Sequence, residues 1–362
     1  MFRLGKTHMT INKLGFGGIP IQRVDISECK QIINQAKKSG INFIDTAVGY
    51  TVSEEYIGEA LKENPHSFYL ATKSMARTYE AMKKDILGSL DRLKRSYIDL
   101  YQIHNLGEAD FELVFSENGA LRALKEAKEQ GLIKEIGITS HSVSVLDRAI
   151  DTDEFATVQF PFNIVENQGE QVFRKAKAKG MGTIVMKPLA GGALEDARLA
   201  LRYLTKLDFL DVLIPGMADE KEIKVNQSAV EDDSPLSEKE LADIKYLKEN
   251  MGDKFCRRCG YCMPCTVGVN IPMQFLLEGY LKRYDLETWA VDRYKSSDKN
   301  ASDCIHCKEC EPRCPYGLSI SDMMVRVSTE FDKLLTNKFH FSHLPLNYEY
   351  TRKLIYLINI YY

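Results

Sequence analysis

Two groups of side chains in the sequence have types and spacings that invite chemistry. The first is a pair of cysteine runs. In CRRCGYCMPC, Cys256, Cys259, Cys262 and Cys265 recur at every third residue; in CIHCKECEPRCP, Cys304, Cys307, Cys310 and Cys314 follow a C-x2-C-x2-C-x3-C-P pattern that ends on Pro315. Thiols grouped in this way are ligands for iron-sulfur clusters. Structural zinc also accepts four thiolates, but its motifs usually separate two C-x2-C pairs by a longer loop. The second group is scattered: Asp45 follows NFI, Tyr50 lies just beyond it, Lys73 follows YLAT and His104 follows LYQI. A tyrosine, with an ordinary pKa near 10, donates a proton usefully only if a nearby cation lowers that value. Lys73 is such a cation, Asp45 would hold it charged and in place, and His104 would hydrogen-bond a substrate carbonyl. Singly each has a plain explanation: a capping aspartate, a solvated lysine, a core histidine. Jointly, at the mouths of successive strands, they form an acid device.

For these four to meet, the chain needs a fold that brings successive strand ends to one place. Up to about residue 215 it repeats a short β-branched or aromatic run, a turn and a helical stretch. The runs are NKLGFGG, NFIDTA, SFYLATK, IDLYQIH, IKEIGITS, TVQFPF, GTIVMKP and DVLIP, and between them lie segments such as SECKQIINQAKKSG, with apolar residues at helical spacing and Gly40 as the stop. Eight near-continuously apolar strands alternating with helices predict a (β/α)8 TIM barrel, whose chemistry lies at the C-terminal strand ends. A doubly wound open sheet is the alternative, but it usually carries a G-x-G-x-x-G after its first strand and none is present. Ser237 and Glu240 have the spacing of a capping box for a charged helix.

With 362 residues, the chain is too long for one growing core. The expected division is a barrel over 1–250, an iron-sulfur domain over 251–330 and a tail over 331–362, for which the sequence offers no function. A net charge of -3 gives no basic face for nucleic acid. MFRLGKTHMTINKLGFGG lacks the apolar core of a signal peptide, and no run of about 18 apolar residues could span a bilayer. A cytoplasmic protein without membrane or nucleic-acid partners is expected. Only Cys29 lies outside the two runs, and in a reducing compartment clustered cysteines are more often metal ligands than disulfides.

FIDTAVGYTVSEEYIGEAL, YLATK, IDLYQIHN, IKEIGITS, VQFPFN and VMKPLAGGAL, in this order, resemble the aldo-keto reductase superfamily across about residues 2–230. The resemblance implies an NAD(P)H-dependent oxidoreductase that reduces a small aldehyde or ketone, with Asp45, Tyr50, Lys73 and His104 as its catalytic tetrad. It also implies a nicotinamide nucleotide across the barrel mouth. Thr139, Ser140 and Gln159 would hold the carboxamide; Pro188, Leu189, Gly191 and Gly192, with Pro215 and Gly216, would hold the phosphates, in loops where barrels commonly bind them; Asn226 would meet the adenine. The family's stacking aromatic is replaced by Met186, and Gly216, Met217 and Glu222 occupy the positions of its usual 2'-phosphate clamp. Lys221 and Lys224 stand nearby. Weak discrimination between NADH and NADPH, or a preference for NADH, is therefore expected.

The second cysteine run has the spacing of bacterial ferredoxins, in which the fourth cysteine of each run ligates the other cluster. That logic predicts two 4Fe-4S clusters, one on Cys256, Cys259, Cys262 and Cys314, the other on Cys265, Cys304, Cys307 and Cys310. The first run is one residue shorter at its last interval, so Cys265 completing its own cluster stays open. Because IPMQFLLEGYLKRYDLETWAVDRY is helical in period, the module is expected to be a small, mainly α-helical ferredoxin-like domain, and the whole resembles a branch of aldo-keto reductase-like proteins with a C-terminal 4Fe-4S dicluster domain. A nicotinamide passes two electrons as hydride whereas a cluster passes one, so direct exchange would create a costly radical. Three readings stand: a carbonyl reductase whose clusters serve stability, docking or sensing; a barrel holding a flavin that joins hydride to cluster chemistry; and an electron-transfer subunit with a redox partner protein and a scaffold barrel. An intact tetrad speaks against the last.

Overall fold

Strands that are apolar along their whole length must be covered on both faces, and the computed structural model meets that demand with a barrel. The structure describes residues 1–251, 256–258, 260–283, 286–314 and 316–337. A hairpin of β1 (Phe2–Arg3) and β2 (Thr10–Ile11) comes first. There follow β3 (Phe16–Gly17), α1 (Ile26–Lys38), β4 (Phe43–Asp45), α2 (Ser53–Leu61), β5 (Tyr69–Ser74), α3 (Tyr79–Arg92), β6 (Ile98–Ile103), α4 (Phe111–Phe115), α5 (Ala120–Glu129), β7 (Ile133–Thr139), α6 (Val143–Asp151), β8 (Thr157–Pro161), α7 (Glu170–Ala178), β9 (Gly182–Met186), α8 (Ala197–Thr205), β10 (Val212–Ile214), α9 (Glu220–Glu231) and α10 (Glu238–Met251).

Strands β3 to β10 pair in sequence order, each parallel to the next. Parallel bridges Leu14 to Leu213 and Gly17 to Gly216 close the ring. Closure needs a residue without a side chain at Gly17, where a Cβ would lie 2.7 Å from Ile214 O and 2.9 Å from Pro215 O. All eight strand runs named from the sequence are strands, with shorter ends. The hairpin, which the sequence reading missed, plugs the barrel: Leu4, Met9 and Ile11 pack with Phe43, Ala71, Leu100, Ile184 and Val212 inside it. Burying one such side chain fully contributes about 1.5–3 kcal/mol.

Local signals agree with the helices. Asp25 and Glu28 form a capping box at the start of α1, which buries Cys29, Ile32, Ile33 and Ala36 at helical spacing. Gly40, at φ +75°, follows its end. The expected box before α10 is present: Glu240 N donates to Ser237 Oγ at 3.2 Å, and Ser237 N donates to Glu240 Oε2 at 2.8 Å.

The chain divides into two compact units, residues 1–259 with 279–286, and residues 260–278 with those from 287 onward. Beyond α10 the helices are α11 (Ile271–Arg283), α12 (Glu287–Ser296) and α13 (Ile320–Asn337). α13 runs on past residue 330, and the aromatic-rich segment from residue 338 lies outside the described residues. In the second unit Tyr294 stacks on Phe331 with centroids 4.1 Å apart, and Arg326 grips Glu278 through two bonds of 2.7 and 2.9 Å. No described helix is long and apolar enough to cross a membrane.

Candidate active site

Strand alternation decides which side chains meet at the barrel mouth. Phe43, Ala71 and Leu100 point into the barrel. Successive inward positions are two residues apart, so Asp45, Lys73 and Gln102 stand one layer above them, toward the C-terminal ends of β4, β5 and β6. There Lys73 Nζ donates to Asp45 Oδ2 at 2.5 Å and to Thr46 O at 2.7 Å, with both side chains of the ion pair almost fully buried. Gln102 Nε2 donates to Asp45 Oδ1 at 3.1 Å and to Gln159 Oε1 at 2.9 Å. Room for Gln102 comes from Gly137 on the neighbouring strand, where a Cβ would lie 2.9 Å from Gln102 Cγ.

Tyr50, half-buried in the loop after β4, lies over this pair: Lys73 Nζ is 4.9 Å from its ring centre. The His104 ring meets the Tyr50 ring edge-on, with centroids 6.0 Å apart and planes at 86°. Thus all four residues picked out by type and strand position come together. Burial opposes both charges of the ion pair, pushing the Asp45 carboxyl up and the Lys73 amine down, while each partner's charge works against the shift on the other. His104 is held well below the usual histidine range by burial and by the charges of Lys73, Arg77 and Lys187. It is a neutral imidazole at pH 7, and its Nδ1 is buried without a hydrogen-bond partner.

The residues expected to face a nucleotide occupy the later strands. Thr139 Oγ1 accepts from Asn105 N at 2.7 Å, and Ser140 Oγ donates to Leu106 O at 2.7 Å, so both already tie the loop after β6 to β7. Gln159 is buried and bonded to Gln102. Pro188, Leu189, Gly191 and Gly192 follow β9 in a loop with Lys187, Ala190, Gly191 and Gly192 all at positive φ. Pro215 is buried and Gly216 exposed after β10, and Asn226 is buried on α9. Where a phosphate clamp is expected, Met217 is buried, the Glu222 carboxylate accepts from Ala218 N at 2.6 Å, and Lys224 pairs with Glu220 at 2.7 Å.

Sequence reading missed several mouth residues. Gln102 was legible by alternation, two residues before His104 in LYQIH. Arg77 donates to the carbonyls of His104 and Asn105 at 3.0 and 2.9 Å and pairs with Asp110 at 3.0 Å. His141 links Asn105 Oδ1, 2.7 Å from its Nδ1, to Lys187 Nζ, 2.9 Å from its Nε2. Arg257 is buried, and its Nη2 donates to Val165 O at 2.9 Å.

In the second unit, Cys265, Cys304, Cys307 and Cys310 line one cavity, walled by Val267, Val269, Ile271, Ile305, Ile320 and Met324. Left-handed residues at His306 and Lys308 curl the loop around Cys307, a backbone shape that gathers N–H groups toward a negative centre. The Glu309 amide and the Thr266 hydroxyl, 3.6 Å away, bond the Cys307 sulfur and hold its thiol below the ordinary value. Among the described residues no three His, Cys, Asp or Glu side chains are drawn together so as to hold a single ion. Four thiols around a shared apolar cavity instead suit a larger inorganic core. Arg258 N donates to Cys256 Sγ at 3.4 Å. Cys262 is buried, and Cys259 and Pro315 lie outside the described residues.

Known proteins share this architecture. The aldo/keto reductase family description matches residues 13–198, about half of the chain, and a 4Fe-4S dicluster domain matches residues 255–319. An uncharacterized oxidoreductase of Bacillus subtilis is 27% identical over 215 residues, 54% of this chain and 67% of its own. An L-galactose dehydrogenase of Arabidopsis thaliana is 28% identical over 213 residues, 53% of this chain and 66% of its own. An NADH-specific methylglyoxal reductase of Escherichia coli is 26% identical over 222 residues, 53% of this chain and 68% of its own. The chain thus spans about two thirds of the length of these relatives. Among solved structures, the holo form of an aldo-keto reductase from Bacillus halodurans superposes with a TM-score of 0.60 at 25% identity, covering 68% of this chain and 95% of that one. An aldo-keto reductase from Klebsiella pneumoniae in complex with NADPH gives 0.56 at 21% identity, covering 66% and 91%, a likeness of fold. A closed parallel barrel with polar residues at its strand ends, matched by the family description through most of those strands, makes this chain a member of the aldo/keto reductase family, an oxidoreductase followed in sequence by a 4Fe-4S dicluster domain.

Proposed function

We propose that the chain reduces the carbonyl of an aldehyde or ketone to the alcohol, with Tyr50 as proton donor. NADH or NADPH supplies the hydride. The observation that carries this reading is the buried Asp45–Lys73 pair with its ammonium 4.9 Å from the Tyr50 ring. A cation there stabilises the tyrosinate left behind when the proton moves. Asp45 keeps Lys73 protonated against the cost of burial, and Gln102 and Gln159 keep Asp45 in place. His104, neutral, offers an N–H to the carbonyl oxygen. Thr139, Ser140 and Gln159 fit the nicotinamide carboxamide, the loops of Pro188–Gly192 and Pro215–Gly216 the phosphates, and Asn226 the adenine. Glu222 beside the expected clamp favours weak discrimination between the two nucleotides or a preference for NADH, because a phosphate gains nothing from a carboxylate. Relatives named for L-galactose and methylglyoxal agree with a hydroxyl–carbonyl pair as the reacting group.

The cysteines fit two 4Fe-4S clusters with exchanged fourth ligands, Cys265 joining Cys304, Cys307 and Cys310, and Cys314 joining Cys256, Cys259 and Cys262. In this reading they hold structure, including the segment of Arg257 and Arg258, and take no part in the hydride step.

Hydride transfer is tested with nucleotide deuterated at the transferred position, NADH and NADPH in parallel, against a panel of aldehydes and ketones. The label should arrive in the alcohol undiluted. A flavin intermediate would lose it to water through its exchangeable N–H, and that result, or a flavin band in the spectrum, would overturn direct reduction.

A further inference from the structure

Resting on the carbonyl-reductase reading, we propose that Gln102 is a positioning residue that ties the seat of the nicotinamide to the proton donor: one amide orients Gln159 for the nucleotide and holds Asp45 in place beneath Tyr50. Strand register sets Gln102, on β6, beside Lys73 on β5 and Gly137 on β7. Gln159 lies one strand further on, on β8, where its register partner is Thr139. Inside such a barrel, side chains from alternate strands meet. Asp45, Gln102 and Gln159 come from the alternate strands β4, β6 and β8. The reach from β6 to β8 passes over β7 at Gly137, the position without a side chain, where a Cβ would lie 2.9 Å from Gln102 Cγ.

The carboxylate decides how both amides lie. An ionised carboxylate only accepts, so the Gln102 atom 3.1 Å from Asp45 Oδ1 is the nitrogen Nε2. That same nitrogen stands 2.9 Å from Gln159, which must therefore present its oxygen. Turning over either amide would set two acceptors face to face. Gln102 Oε1 is itself buried with no hydrogen-bond partner among the described residues. A buried acceptor left unbonded is a cost, and the two bonds made by Nε2 are what the arrangement gains in return. Gln159 keeps its two N–H donors for other partners. One partner is Asp45: burial raises its carboxyl, and after the charge and bond of Lys73 the bonds from Gln159 and Gln102 oppose that rise. The other, in the reductase reading, is the carboxamide oxygen of the nucleotide.

Loss of this one nitrogen is therefore felt twice. At the proton donor, Asp45 is held less firmly as a carboxylate, so the Lys73 ammonium near the Tyr50 ring loses part of what keeps it charged. At the nicotinamide, nothing fixes which end of the Gln159 amide meets the carboxamide. A side chain that merely filled the barrel would be felt in neither place.

The test uses the cluster-loaded enzyme with Gln102→Met, which keeps the length of the side chain and removes the donor, Gln159→Leu, and the double variant. NADH and NADPH are titrated beside ADP-ribose and its 2'-phosphate, which lack the nicotinamide. Gln102→Met should weaken NADH or NADPH by about 3- to 10-fold and leave the truncated ligands unchanged. In the Gln159→Leu background it should add nothing to that loss, since the two residues act there as one unit. With a carbonyl that the wild type reduces, kcat should fall by about 10- to 100-fold in Gln102→Met, and by a similar factor from Gln159→Leu to the double variant, because the bond to Asp45 is lost in both. Gly137→Ala, which crowds Gln102 without removing its amide, should move both quantities in the same direction by less, and it keeps the test open if Gln102→Met fails to fold. Equal losses for NADH and ADP-ribose, additive losses of NADH affinity, or an unchanged kcat in Gln102→Met overturns the proposal. If nucleotide binds and no carbonyl turns over, the titrations still decide: a loss confined to the nicotinamide half supports the role of Gln102 while the reductase reading fails. If the wild type binds neither nucleotide, both fall together.

Discussion

Around Asp45 and Lys73 at the barrel mouth the chain furnishes both members of the main polar contacts, whereas in the cysteine cavity it brings several thiols to one apolar space. Asp45 meets Lys73, Gln102 meets both Asp45 and Gln159, and Arg77 meets Asp110, so the side chains of the proposed tetrad are held by the chain itself. Cys265, Cys304, Cys307 and Cys310 line one cavity with largely apolar walls, where the Thr266 hydroxyl and the Glu309 amide bond the Cys307 sulfur. The difference teaches where order comes from. A catalytic device must be rigid in advance, because its energy lies in positions held for the transition state; a metal site takes part of its folding energy from the metal.

The sharpest way to break this comparison is Tyr50→Phe. Turnover should fall by about 10²- to 10⁴-fold, the usual worth of a general acid. Iron content and nucleotide affinity should stay as they are, since the ring remains over Lys73. Steady-state kinetics and a nucleotide titration check it. Wild-type turnover in the variant would sink the tetrad assignment.

A second test removes order from one side only. Anaerobic iron chelation should release about eight irons per chain and expose the amides of α12 and α13 to hydrogen exchange while those of β4 to β8 stay protected. Cys310→Ala and Cys314→Ala should each damage a different cluster, visible as the loss of one of two interacting signals in low-temperature EPR. Zinc in place of iron, or both variants striking the same cluster, would refute the exchanged ligands.

The two regions also differ in how far the sequence disclosed them. The cysteine module was legible because its signal is local: cysteines recur within a few residues, so spacing alone points to a 4Fe-4S domain, which the match over residues 255–319 bears out. The barrel strands were legible by their apolar runs, and the tetrad by strand ends plus family likeness. What escaped is non-local. The plugging hairpin has strands of two residues, too short for periodicity. Lys187, His141 and Asn105 come from three separate loops, and nothing in TSHS or VMKP states that they meet. Arg257 lies between two cysteines in sequence, and only folding brings it to the Val165 carbonyl.

The smallest effect concerns acid, and it sharpens why the mouth stays neutral at its histidines. His104 and His141 both have folded values well below the usual one near 6.5, first because burial disfavours the cation and then because lysine and arginine charges surround them. As pH falls through 6.5 the unfolded chain takes up these protons and the folded chain does not. The unfolded state then binds more protons, so stability rises with pH in this window and is lost on acidification, by about 1.4 kcal/mol per pH unit for each histidine until its folded value is reached. Carboxylates held below their ordinary range, such as Asp232 and Glu240, contribute with the same sign only around pH 4, whereas the raised Asp45 carboxyl acts in the opposite sense. Denaturant unfolding of the cluster-loaded protein between pH 7 and about 5.5 should show this slope, and His141→Asn should remove roughly half of it. An equal slope in His141→Asn would mean that His141 takes its proton as readily in the folded chain as in the unfolded one, and that the mouth is not the cationic environment that His104 and His141 imply.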